Sequence, residues 1–280
     1  MTLIDIDDPS DPRVEPYRAL RDRDHATRRD GRPGAFVAEG EVVLRLLLSA
    51  RSRFRARSVL LARNRLAPLA PLLAGLPAGL PVYVAPPDVL EGIAGFPLHR
   101  GILALGGREP LSGPLALPVC GSSLVLGLVG LANHDNVGGA FRNAAAFGAD
   151  AVLLDAASCD PLYRKAIRVS VGAALTVPFR RGGTAREMVD RLVGAGYTPF
   201  ALSPAGAERL GEVAWPARVA LLMGTEGEGL PPELIAELRS VRIEMAAGFD
   251  SLNVATAAGI ALHAAATAGT GRPKSPSDCD

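Results

Sequence analysis

Apolar runs alternate with small and polar stretches along the whole chain, and their lengths predict alternating strands and helices, an α/β fold. The pattern is sharpest near the C-terminus. Residues 218–223 read as a strand, followed by a loop of small and acidic residues over 224–230 and a helix opened by Pro231 and Pro232. A second strand is predicted over 241–245, then a polar turn, Ser251 to Asn253, leading into an apolar helix. Upstream, residues 124–130 are uninterruptedly apolar, as a strand buried in a parallel sheet would be. A polar loop over 133–136 then precedes a helix over 140–147. Residues 151–154 and 197–202 read as strands, and 162–169 and 184–193 as helices. In the first third, 36–48 carries an apolar stripe that predicts a helix, and shorter strand-like and helix-like pieces alternate from 58 to 105. Residues 15–29 read as a charged helix and 1–12 as loose.

Gly, Pro and Ser crowd into residues 107–123, which predicts a linker there. The expected organisation is an α/β domain over 1–106, a second domain over 124–270, and a polar, disordered tail over 271–280. With 48% apolar and 21% charged residues the composition is that of a globular protein. No run of 18 uncharged apolar residues is present and the N-terminus lacks a basic start before an apolar core, so neither a membrane span nor a signal peptide is expected. Three widely spaced cysteines form neither a disulfide framework nor a CxxC pair. A cytoplasmic, metal-free protein is the expectation.

The net charge of +1 says nothing about partners, but its distribution does. Between Arg13 and Arg65 stand 14 arginines, 6 acidic residues and no lysine. Arginine's planar fork grips phosphate and stacks on bases, so this excess suits RNA, although solvated helix faces give the same count.

Candidate chemistry gathers at the loops. Glycines in 224–230 let backbone approach a ligand closely, while Glu226 and Glu228 would repel a phosphate; ribose hydroxyls or a cationic ligand fit better. The residues after Gly130 contain no GxGxxG, which disfavours a nucleotide-binding oxidoreductase. Asn136, Ser251 and Asn253 have the chemistry of helix caps as well as of a site. Arg164, Lys165 and Arg168 share one helix face that could grip phosphates or simply be solvated. His134 and Asp135 lie in the polar loop, where they could contact substrate, His263 lies in an apolar helix, and Cys159 has no base partner.

Three pieces taken together are specific: Asn136-x-Gly138-x-x-x-Arg142 running on to Phe147-Gly148, Met223-Gly-Thr-Glu226-Gly-Glu-Gly-Leu230, and Ser251-Leu-Asn253-Val-Ala. In order and separation they resemble the three motifs of the SpoU (TrmH-type) RNA 2'-O-ribose methyltransferases of the SPOUT superfamily, over about residues 124–268. A weaker match, Phe36-Val-Ala-Glu39-Gly40, lies where many members carry an RNA-binding domain of ribosomal-protein L30e type. Glu244 departs from the family, which usually has proline there.

The resemblance implies a parallel-sheet α/β domain with a C-terminal trefoil knot, preceded by the smaller L30e-like domain. It further implies S-adenosylmethionine as cofactor and an active site shared between the subunits of a homodimer. Carried over position by position, Asn136, Arg142, Glu226, Ser251 and Asn253 become the catalytic set, and Leu202, Gly224, Ile243, Met245 and Leu252 the cofactor pocket. The expected activity is methylation of a ribose 2'-hydroxyl in structured RNA. The L30e-like domain favours 23S rRNA over tRNA, and a non-catalytic RNA-binding protein of the same fold is the alternative from another class.

Overall fold

The computed structural model describes residues 2–18, 34–98, 100–109 and 115–268. Most of the charged helix expected over 15–29, the middle of the linker and the tail over 271–280 lie outside the described residues. In chain order the elements are β1 (Thr2–Asp5), β2 (Ala35–Glu39), α1 (Glu41–Leu47), β3 (Ala56–Ala62), α2 (Leu66–Ala74), β4 (Pro81–Ala85), α3 (Pro87–Ala94) and β5 (Ile102–Gly107). They continue with β6 (Ser123–Leu128), α4 (His134–Ala146), β7 (Ala151–Leu154), α5 (Arg164–Val169), β8 (Phe179–Arg181), α6 (Ala185–Gly194), β9 (Thr198–Leu202) and β10 (Glu208–Arg209). The last are β11 (Arg218–Met223), α7 (Pro232–Glu237), β12 (Arg239–Arg242) and α8 (Val254–Ala268). Two compact units result: Met1–Pro114 with Leu162–Thr176, and Leu115–Pro161 with Val177–Asp280.

The first unit is built on a five-stranded mixed sheet, ordered β1-β4-β3-β5-β2. Two sequence expectations fail here for the same reason. Residues 2–5 are not loose, because β1 pairs in parallel with β4 and Ile6 just beyond it is fully buried. Nor is 36–48 one helix: Phe36 to Glu39 form β2, antiparallel to β5, and Gly40 at φ +93° turns the chain into α1. A short apolar run fits a buried strand as well as a helix, and only the partner strand decides. Within this unit the helix α5 lies on β2, so Arg164 is turned inward onto Glu39, while Arg168 pairs with the same carboxylate from an exposed position. The buried carboxylate of Glu39 pairs with Arg164, and its other oxygen lies 3.5 Å from Arg168. The Arg164 guanidinium also covers the Phe96 ring at 4.7 Å. Part of the arginine excess is likewise paired: Arg13 with Asp11, Arg45 with Glu41, Arg57 with Glu109 and Arg63 with Asp5.

The second unit is a seven-stranded, all-parallel sheet ordered β10-β12-β9-β11-β6-β7-β8. Every residue of β6 and β7 is buried, as a sheet covered on both faces requires. Val125, Ala220 and Leu222 pack with Met188 and Leu192 of α6 and Leu234 of α7 on one face, while α8 meets β6 and β11 and packs on α4. The helix after β6 starts six residues earlier than its pattern suggested, at His134, because the Asn133 side chain caps it by accepting from the Asp135 N–H at 2.8 Å. Gly139 inside that helix is a packing device: a Cβ there would stand 2.6 Å from the Cβ of Ala255 in α8. The strand expected over 241–245 ends at Arg242, leaving Ile243 to Asn253 as an irregular return to α8. That return, and the loop after Met223, are where the backbone is free to shape a site.

Glu39 is the more deeply buried partner of its ion pairs, so Glu39→Ala should destabilise the protein by about 2 kcal/mol, through the unpaired guanidinium it leaves partly buried. Arg168→Ala, at an exposed and longer contact, should cost less than about 1 kcal/mol. Urea denaturation of the two variants checks the order.

Candidate active site

Three loops at the carboxyl ends of parallel strands converge in the second unit. This is where open α/β sheets place ligands. The loop after β11 folds back on itself, with Thr225 and Gly229 exchanging backbone hydrogen bonds at 3.0 and 3.1 Å. The crossing is so close that a Cβ on Gly224 would lie 2.0 Å from the carbonyl carbon of Gly229. Glycine is obligatory there for space. The tight loop presents Glu226 at its start.

The loop after β6 is held from beneath. The buried Asp155 carboxylate, at the end of β7, accepts the Gly130 N–H on both oxygens (3.0 and 3.1 Å) and the Ser158 N–H and hydroxyl (2.8 and 2.7 Å). Ser158 in turn accepts the Leu131 N–H at 3.1 Å. A buried carboxylate is tolerated because three donors meet it in four contacts, and it fixes the turn from which α4 begins. Sequence reading missed this anchor, although a lone acid ending an apolar strand was a signal for it.

At the meeting point stands Asn136, 4% exposed in the first turn of α4. Its amide nitrogen donates to Oε1 of Glu226 at 2.6 Å, and its amide oxygen accepts from Nδ2 of Asn253 at 2.8 Å. Nδ2 of Asn253 also reaches Glu226 at 3.5 Å, while its Oδ1 caps α8 by accepting from the N–H groups of Ala255 and Thr256. Asn253 thus both caps and bridges. Asn136 has no capping duty, since Asn133 holds that position.

Beside this cluster opens a cavity of about 720 Å³. Leu202, Gly224, Ile243, Met245 and Leu252 line it together with Glu226, Ser251 and Asn253. Ser203, Pro204, Ala205, Thr225 and Asp250 complete walls that motif reading did not name. The volume suits a ligand of nucleoside size, and walls made of loop backbone, apolar side chains and a few carboxylates can take a ligand both apolar and cationic. Arg142 is placed elsewhere. It is exposed on α4 and lines a separate shallow groove with Gly139, Asn143, Gly259, Ile260 and His263. His263 there stacks edge-on to Phe147 at 5.5 Å. Cys159 is half-buried, and burial, reinforced by Asp160, pushes its thiol up to about 11, so it stays protonated at neutral pH. Among the described residues no group of three or more His, Cys, Asp or Glu could hold a metal ion, and no helix is long and apolar enough to cross a membrane.

The family described as SpoU rRNA Methylase matches residues 123–263. A protein of Mycobacterium tuberculosis described as an uncharacterized tRNA/rRNA methyltransferase is 39% identical over 94% of the chain and 91% of its own length. A 23S rRNA (guanosine-2'-O-)-methyltransferase of Ralstonia nicotianae is 33% identical over 67% of the chain and 77% of its own. Among solved structures, that of an RNA 2'-O ribose methyltransferase superposes with a TM-score of 0.77 at 25% identity, over 95% of the chain and 99% of the other.

The crossing at Gly224 yields a sharp expectation. Gly224→Ala forces the loop open and should lower the thermal midpoint by roughly 3–10 °C. Gly194→Ala, at the end of α6 with nothing within 4 Å of the added Cβ, should leave it unchanged or slightly raised. Differential scanning calorimetry of both variants separates the two cases.

Proposed function

The chain belongs to the SpoU rRNA methylase family, and on that premise we propose that it transfers the methyl group of S-adenosylmethionine to a ribose 2'-hydroxyl of RNA. The observation that carries the reading is the cluster of Asn136, Glu226 and Asn253 beside a cavity walled by Leu202, Gly224, Ile243, Met245 and Leu252. The cavity fits the donor: glycines 224, 227 and 229 would leave wall backbone open to hydrogen-bond it, and Glu226 and Asp250 favour a cation. Bound there, S-adenosylmethionine supplies an electrophilic methyl on sulfonium.

The protein's part is positioning and charge. A ribose hydroxyl is a weak nucleophile, so its proton must leave or its developing negative charge must be stabilised. Arg142 is assigned the second task, because a guanidinium does not give up its proton in proteins. It holds the target nucleotide's phosphate and stabilises the growing alkoxide. Oε2 of Glu226 accepts no hydrogen bond from the described residues, which leaves it to the ribose, while Asn136 and Asn253 fix Oε1. Ser251, on the cavity wall, completes the ribose contact.

Arg142 lines the groove between α4 and α8 and not the donor cavity, which supports a homodimer. A second copy seated on that groove would bring the partner subunit's Arg142 to the cavity. The first unit, read as an L30e-like domain, is the RNA-recognition part, and 23S rRNA is favoured over tRNA. The protein would act in the cytoplasm.

Labelled S-adenosylmethionine, supplied with total rRNA or total tRNA from cells lacking the protein, should place label in a 2'-O-methylnucleoside of the rRNA. Arg142→Ala should lower kcat by about 100-fold or more with donor affinity kept, and Arg142→Lys should recover little of it, because the fork geometry is lost. Label in a base, or near-normal turnover in Arg142→Lys, would overturn this mechanism.

A further inference from the structure

The return from β12 to α8 carries one residue that neither the donor cavity nor the α4–α8 groove uses. Phe249 is 76% exposed, the most exposed of the large hydrophobic side chains among the described residues and the one aromatic in that set. It does not line the cavity, although the next residue, Asp250, does, followed by Ser251, Leu252 and Asn253. Nor does it line the groove that holds Arg142. Its backbone is nevertheless well fixed. The Phe249 N–H donates to the Ala246 carbonyl at 3.1 Å across a turn whose third residue, Gly248, has φ +87°, the pattern of a type II turn. A bare phenyl ring held by a defined turn, one residue from the cavity wall, costs hydration and gains nothing within the protomer.

Ligand geometry narrows what it can meet. If the donor occupies the cavity and the ribose lies at its mouth, the base attached to that ribose, or its neighbour, lies outside the wall. Unpaired bases in RNA are commonly held on aromatic faces, which are indifferent to base identity. We propose that Phe249 is a substrate-contact residue that stacks on an unpaired base of the RNA at or beside the methylated nucleotide. The proposal rests on the methyltransferase reading above and adds a requirement to it: the target must lie in a loop, bulge or other unstacked position.

The test measures methyl transfer to rRNA from cells lacking the protein, for wild type, Phe249→Ala, Phe249→Leu and Phe249→Trp. Phe249→Ala and Phe249→Leu should raise KM for RNA between about fivefold and a hundredfold, the range of one base–aromatic stack. Phe249→Trp should restore it, and KM for S-adenosylmethionine should stay put in all of them. Equal loss in Phe249→Ala and Phe249→Trp, or no loss in either, would overturn the stack. A weakened affinity for S-adenosylmethionine by calorimetry, or a halved mass by light scattering, would assign Phe249 to the donor pocket or to a subunit interface instead. Wild-type protein that places no label in ribose would sink the underlying reading itself, an outcome distinct from an active wild type with an indifferent Phe249→Ala.

Discussion

One side-chain amide ties the functional part of this protein together. Asn136 spends its nitrogen on Glu226 and its oxygen on Asn253, partners 90 and 117 residues away in sequence. An amide is suited to this because it offers a donor and an acceptor on opposite sides of one planar group. A carboxylate at 136 would repel Glu226, and a hydroxyl could not span both partners. Because Asn136 is buried, leaving either half unsatisfied would carry a desolvation cost of about 1–3 kcal/mol. The three loops are thus held in one arrangement by a contact that forms only when all three are in place.

That contact needs each loop to be held independently, and each is. The loop after β6 hangs from the Asp155 carboxylate, the loop after β11 is locked by the Thr225–Gly229 exchange, and the last is pinned where Asn253 caps α8. Rigid strands supply the platform and backbone hydrogen bonds set the loops. The side chains facing a substrate then lose little conformational freedom when it arrives.

How much of this was legible in the chain follows from the range of the forces involved. The strands of the parallel sheet declare themselves because burial on both faces makes them continuously apolar, as at 124–130. The motif residues pointed to one site, and Asn136, Glu226, Ser251 and Asn253 do converge there. What stayed hidden depended on partners far away in sequence. Phe36 to Glu39 become a strand only because β5 lies beside them, and β1 exists only because β4 does. The basic face of α5 could be read as a phosphate grip or as a solvated stripe, yet both its arginines reach the Glu39 carboxylate. Charge spacing along a helix shows which side chains are neighbours, not what lies opposite. The start of α4 was misplaced because Gly138 and Gly139 look like a loop until the close approach of α8 explains the second of them.

The separation of Arg142 from the cavity has a physical logic of its own. A guanidinium on the wall of the cavity would oppose a cationic donor by direct repulsion, which at low effective dielectric is costly. Carboxylates on the wall do the reverse, and Glu226 is the carboxylate that both lines the cavity and accepts from Asn136. With the positive charge on a neighbouring surface, the cavity wall keeps Glu226 and Asp250 as its charged groups. On the proposed mechanism the groove along α4 and α8 belongs with the cavity, because it carries the guanidinium proposed to stabilise the alkoxide.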